Sequence, residues 1–116
     1  MHGAMHGTTL DRAFHALADP TRRGILERVA REEASIGDLA RRFGMSLTGV
    51  KKHVRVLEEI GLVGTRKEGR VRTVGVGPRA LDDVARWVDD YRRAVEARFD
   101  RLEALLERLQ EGDAGA

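Results

Sequence analysis

The chain has 116 residues, a formal net charge of +2, 34% charged residues and no cysteine. That length holds one domain with a single small core. The absence of cysteine excludes disulfides and thiolate metal sites and suits a reducing cytoplasm; no apolar run approaches membrane-spanning length and no signal peptide is visible, so a cytoplasmic protein with no membrane partner is expected.

Met1–Gly7, with His2 and His6, reads as a disordered tail. Thr8 and Asp11 have the spacing of a capping box and open a helix to about Ala18, with Leu10, Phe14 and Leu17 on one face. Asp19-Pro20 is a helix start, with Asp as N-cap and Pro at the first helical position. The helix it opens runs to about Glu32 and presents Ile25, Leu26 and Val29.

Ser35 and Asp38 form a second capping-box pattern, followed by Ile36, Leu39, Ala40 and Phe43 at helical spacing and ended by Gly44. Ser46 is the next N-cap candidate, and Val50, Val54 and Leu57 form the apolar stripe of the helix after it. Gly61 stops that helix, and Leu62 can fold back on its last turn. Its other face carries Thr48, Lys51, Lys52 and Arg55, with Gly49 near the start and Glu58 and Glu59 at the end. Cations at the N-terminal half oppose the helix dipole, a conflict that an anionic partner removes. Gly49 allows either close approach to DNA or a tight helix–helix contact. His53 lies between the two faces and is expected to be a packed or capping histidine rather than a base reader or metal ligand.

Leu62, Val63 and Thr65, then Val71, Thr73, Val74 and Val76, are β-prone, and Glu68-Gly69 between them signals a hairpin turn. Arg66, Lys67, Arg70 and Arg72 crowd its tip, with no aromatic side chain among them for base stacking. Between residues 41 and 79 ten Lys and Arg face three Glu, whereas from residue 80 onward six Arg face ten acids. The positive charge is local, as the footprint of a nucleic-acid interface should be.

A long helix is expected from Arg79 to Gln110, about 45 Å at roughly 1.5 Å per residue. Leu81, Val84, Val88, Tyr91, Val95, Leu102, Leu105 and Leu109 form a heptad stripe interrupted at Arg98 and widened by Trp87, Phe99 and Leu106. A domain this small cannot bury such a stripe alone, so pairing with a second copy is expected, helped by Leu10 and Phe14 of the first helix. The fold class is mainly α with a small β-hairpin: a winged helix-turn-helix over residues 8–78, a dimerisation helix over 79–110, and disordered tails at 1–7 and 111–116.

With these residues in view, the chain resembles the ArsR/SmtB family of winged-helix regulators. Leu17-Ala18-Asp19-Pro20-Thr21-Arg22-Arg23-Gly24-Ile25-Leu26 is similar to the family's opening signature, and Lys52-His53-Val54-Arg55-Val56-Leu57-Glu58-Glu59-Ile60-Gly61-Leu62-Val63 to its recognition helix and following strand. Glu68-Gly69-Arg70 falls at its wing tip. The resemblance implies a homodimeric repressor that leaves its operator on a signal. Many members of the family sense metals through Cys on the first helix of the helix-turn-helix, and others through His and carboxylates on the last helix. Ile36-Gly37-Asp38-Leu39 has no Cys and the last helix has no His, so a metal-independent subgroup is the expected placement, with no metal and no cofactor.

The reading is therefore a regulator of double-stranded DNA acting on a palindromic operator. Ser46, Thr48, Gly49, Lys51, Lys52 and Arg55 would enter the major groove, and Arg66, Lys67, Arg70 and Arg72 would meet phosphates or the minor groove. The rival readings are a winged helix used as a protein-interaction module and a ligand- or metal-responsive sensor with its site at the dimer interface. No nucleophile–base pair, phosphate loop or metal cluster marks an enzyme. The inducer and the operator sequence are not legible.

Overall fold

The structure, a computed structural model, describes residues 9–79 and 81–115. The expected capping role of Thr8 and the tail 1–7, with His2 and His6, lie outside the described residues. The elements are α1 (Thr9–Leu17), α2 (Pro20–Arg31), β1 (Ala34–Ser35), α3 (Ile36–Phe43), α4 (Leu47–Glu59), β2 (Val63–Glu68), β3 (Val71–Val76) and α5 (Asp82–Gly115). Two compact units divide after Val84.

Local chemistry sets most boundaries in the first unit. Asp19 caps α2 by accepting from Arg22 N at 2.9 Å, with Pro20 in the first turn. Ser35 and Asp38 complete the expected capping box of α3: Asp38 N donates to Ser35 Oγ (3.0 Å) and Ser35 N to Asp38 Oδ2 (3.4 Å). At the end of α4, Gly61 adopts φ 80°, a conformation that favours glycine. Its N–H donates to Glu58 O (3.0 Å) and that of Leu62 to Leu57 O (2.9 Å), the reciprocal pair that satisfies a helix's last carbonyls. Leu62 is thereby turned into the core.

That core is built from residues far apart in sequence. Ile25 of α2, Leu39 of α3, Val50 and Leu57 of α4, Val63 of β2 and Val74 of β3 are all fully buried. α1 contributes Ala13 and Ala16; of Leu10, Phe14 and Leu17, expected on one face of the helix, Leu10 and Leu17 are half-buried and Phe14 is exposed. Small side chains let α1 lie close, and its larger apolar groups are left toward the outside.

β1 has no counterpart in the sequence reading. Ala34 and Ser35 pair with Val74 and Thr73, giving an antiparallel sheet in the order β1-β3-β2. β2 and β3 pair from Val63↔Val76 to Glu68↔Val71, so Gly69 and Arg70 form the loop, one residue later than the expected Glu68-Gly69 turn. Gly69 has φ 62°.

The last helix also starts later than expected. Pro78 and Arg79 lie in a turn in which Asp82 N donates to Arg79 O (2.9 Å), and Leu81 takes φ 66°. Asp82 and Asp83 then occupy the first turn, where carboxylates suit the helix dipole. Leu81 and Val84, the first two positions of the heptad stripe, are partly buried against the core of the first unit. The helix continues through Gly115, past the expected stop at Gln110, and its sequence holds no proline to interrupt it. In the second unit the ion pairs Asp89–Arg92 (3.0 Å) and Asp90–Arg93 (2.6 Å) bridge successive turns, and the Trp87 and Tyr91 rings stack with centroids 5.5 Å apart.

Candidate nucleic-acid interface

α4 carries the candidate residues in two rows. Leu47, Lys51 and Arg55 follow one another at steps of four, as do Thr48 and Lys52 beside them, and all five are exposed. The buried row Val50, Val54 and Leu57 lies opposite and fixes how α4 sits on the core. Ser46 caps the helix, its Oγ accepting from Gly49 N at 3.0 Å. Gly49 touches no other helix: a Cβ there would meet only Met45 Cε (3.1 Å) and Ser46 Oγ (3.3 Å) of the preceding turn. The helix–helix reading of this glycine therefore falls away.

His53 is half-buried, as its position between the faces suggested. Arg22 Nη1 donates to His53 Nδ1 at 3.3 Å, and Asp19 Oδ2 lies 4.0 Å from the same nitrogen. A guanidinium can only donate, so Nδ1 is the acceptor in this contact. Arg22 Nε also donates to Ala16 O (2.9 Å), so one side chain ties α1, α2 and α4 together. The Arg22 backbone N–H, with the Arg22 guanidinium charge adding to it, holds the Asp19 carboxyl below the usual range.

The hairpin separates cations that look alike in sequence. Its pleat puts Thr65, Lys67, Arg72 and Val74 on one face and Arg66, Val71 and Thr73 on the other. Lys67 and Arg72 face α4. Arg72 Nη1 donates to Thr65 Oγ1 (3.1 Å), which in turn donates to Glu58 Oε2 (2.7 Å) at the end of α4. That chain gives Glu58 a local role and spans the space between helix and hairpin.

Arg66 is held elsewhere. Its Nη1 donates to Glu33 Oε2 (2.7 Å) and its Nε to Glu68 Oε1 (3.2 Å). Glu33 reaches it across Gly75, where a Cβ would come within 3.0 Å of Glu33 Oε2. The bond from Arg66 lowers the Glu33 carboxyl pKa, and the two carboxylates raise that of the guanidinium. Arg66 thus stands with two internal carboxylates, unlike Lys67, Arg70 and Arg72.

Between α4 and the hairpin lies a cleft of about 430 Å³ lined by Ser35, Ile36, Gly37, Arg41, Leu47, Lys51, Lys67, Arg70, Val71 and Arg72. Five of these side chains are cationic and none is acidic. A neighbouring cavity of about 300 Å³ adds Arg55 beside Lys51, Thr65 and Arg72. The arrangement brings together Lys51, Arg55, Lys67, Arg70 and Arg72; Lys52 and Thr48 lie on the adjoining exposed row and Arg66 on the far face of the hairpin. Arg41, Leu47 and Val71 line this cleft and were not among the residues expected at the interface. The step of four from Leu47 to Lys51 was the signal for Leu47. Among the described residues no three His, Cys, Asp or Glu side chains converge as a metal site would require, and no helix is long and apolar enough to cross a membrane.

The helix-turn-helix domain family matches residues 17–66, which hold α2, α3, α4 and the start of the hairpin. A crystal structure of an ArsR family transcriptional regulator is 39% identical, covers 76% of this chain and 91% of its own, and superimposes with a TM-score of 0.70. The chain belongs to the ArsR family of transcriptional regulators. The HTH-type transcriptional regulator Rv2034 of Mycobacterium tuberculosis is 42% identical over 71 residues, 61% of this chain. The matched stretch spans 66% of that regulator, just under two thirds of its length. The homodimeric winged helix-turn-helix DNA-binding domain of a Mycobacterium bovis regulator is 30% identical, with a TM-score of 0.57 over 76% of this chain and 79% of that one. The ArsR assignment makes α3 and α4 the helix-turn-helix and the β2–β3 hairpin its wing.

Proposed function

We propose that this ArsR-family chain is a cytoplasmic homodimeric repressor that binds a palindromic site in double-stranded DNA, without enzymatic activity, metal or cofactor. The observation that carries the reading is the cleft in which α3, α4 and the wing supply five cations and no acid. α4 enters the major groove with Thr48, Lys51, Lys52 and Arg55, and Ser46 and Gly49 bring its positive end close to the backbone. Lys67, Arg70 and Arg72 meet phosphates or the minor groove. The domain division is residues 8–78 for DNA and the following helix for dimerisation. The exposed apolar row of α5, from Val88 and Tyr91 to Leu102, Leu105 and Leu109, supports pairing with a second copy, with Val95, half-buried, between them. A dimer places two recognition helices about 34 Å apart, one turn of duplex.

The test is duplex binding as a function of salt. With about four phosphate contacts per protomer, log K should fall with log salt at a slope of roughly −7. Lys51→Glu should abolish retention, Arg72→Gln should flatten the slope by about 2 for the dimer, and Arg66→Gln should leave it unchanged. A wild-type slope shallower than about −3, or a Lys51→Glu protein that still binds, contradicts the proposal and favours a protein-interaction module.

A further inference from the structure

We propose that Leu47 determines sequence specificity by meeting the 5-methyl group of a thymine in each half-site. The inference deepens the DNA-binding reading and rests on it. Leu47 is the first residue of α4 and is 52% exposed, although leucine is among the side chains most often buried. It heads the row that continues through Lys51 and Arg55, and it lines the cationic cleft beside Lys51, Arg70 and Val71. An apolar side chain ringed by cations is badly placed for an apolar protein partner. It is well placed for a polyanion that offers apolar groups at the floor of its groove, and the thymine methyl is the apolar group of the major-groove edge.

The polar inventory of the helix leads to the same base. From Leu47 to Glu59 there is no Asn and no Gln, so the bidentate contact to adenine N6 and N7 is not available. Lys51, Lys52 and Arg55 suit guanine or phosphate. The Ser46 hydroxyl already accepts from Gly49 N as the helix cap. The first turn, the part of a recognition helix that reaches base edges, thus offers Leu47 and Thr48. An A·T pair is recognised there through its methyl group.

The experiment uses the full chain. Duplexes retained from a random pool are sequenced for the wild type and for Leu47→Ala, and thymines in the selected site are then replaced singly by uracil, which removes only the methyl. The wild type should select a fixed thymine in each half-site. Uracil there should weaken binding about fourfold per half-site, the worth of one buried methyl group. Leu47→Ala should bind the thymine and uracil duplexes within twofold of each other and should lose the thymine preference at that position. Equal wild-type binding of thymine and uracil duplexes at every position would overturn the inference alone, as would an unchanged uracil penalty in Leu47→Ala. Failure of the wild type to retain any duplex would overturn the DNA-binding reading and this inference together.

Discussion

The winged unit and the long helix use the same apolar residue types to opposite ends. Up to Val84, leucine, isoleucine and valine from α2, α3, α4 and the hairpin are buried against one another. From Ala85 onward Leu102, Leu105, Leu106 and Leu109 are 43–59% exposed. The winged unit closes its own core, so its stability is a property of one chain. Among the described residues the apolar row of α5 is supported within the helix by propensity, the stacked Trp87 and Tyr91, and ion pairs worth about a few tenths of a kcal/mol each. In the proposed dimer a second chain buries this row, and its contribution then depends on concentration.

Three substitutions test that contrast, in falling order of effect. Leu39→Ala removes a fully buried side chain shared by α3 and the rest of the core. It should lower stability by about 2–5 kcal/mol in urea denaturation, by the same amount at low and high protein concentration. A concentration-dependent loss would mean that the winged unit does not stand alone. Leu105→Glu places a charge in the exposed row of α5. It should weaken self-association at least ~30-fold, about 2 kcal/mol, and move the sedimenting species toward monomer. An unchanged dimer would place the interface elsewhere.

The smallest effect is on acid stability. Ser35 and Asp38 cap α3, and the bond from the Ser35 hydroxyl, followed by that from its N–H and by Arg41, lowers the Asp38 pKa below 3.8. A carboxyl whose folded pKa is depressed contributes stability that is present above 3.8 and lost as pH falls through the lower folded value. Asp19 and Glu33 shift in the same direction, and all three lie in the winged unit. Asp38→Asn should therefore flatten part of the stability loss below pH 3.8 measured by denaturation at stepped pH. An unaltered acid limb would remove Asp38 from the account.

Much of the fold was legible because its signals are local. The caps at Asp19, Ser35 and Ser46, the stop at Gly61 and the buried row Val50–Val54–Leu57 depend on neighbours within a few residues. β1 was not legible: Ala34-Ser35 is a strand only because β3 offers it a partner. The wing cations were legible as a cluster but not as two sets. With the turn at Gly69-Arg70 rather than Glu68-Gly69 the register moves, and a one-residue change sends a side chain to the other face of a sheet. Arg66 consequently meets Glu33, forty-two positions from Gly75 where its path is cleared, while Arg72 meets Thr65 and the α4 side.

By itself the sequence determined the helices, their order, the local positive charge and the absence of thiolate ligands, since these follow from composition, spacing and capping chemistry within one or two turns. Only the tertiary structure decided which apolar residues close the core, that Leu81 and Val84 join it, and which cations share a cleft with Leu47. The physical reason is that burial and pairing depend on what a second element brings, and a spacing rule sees only one element at a time.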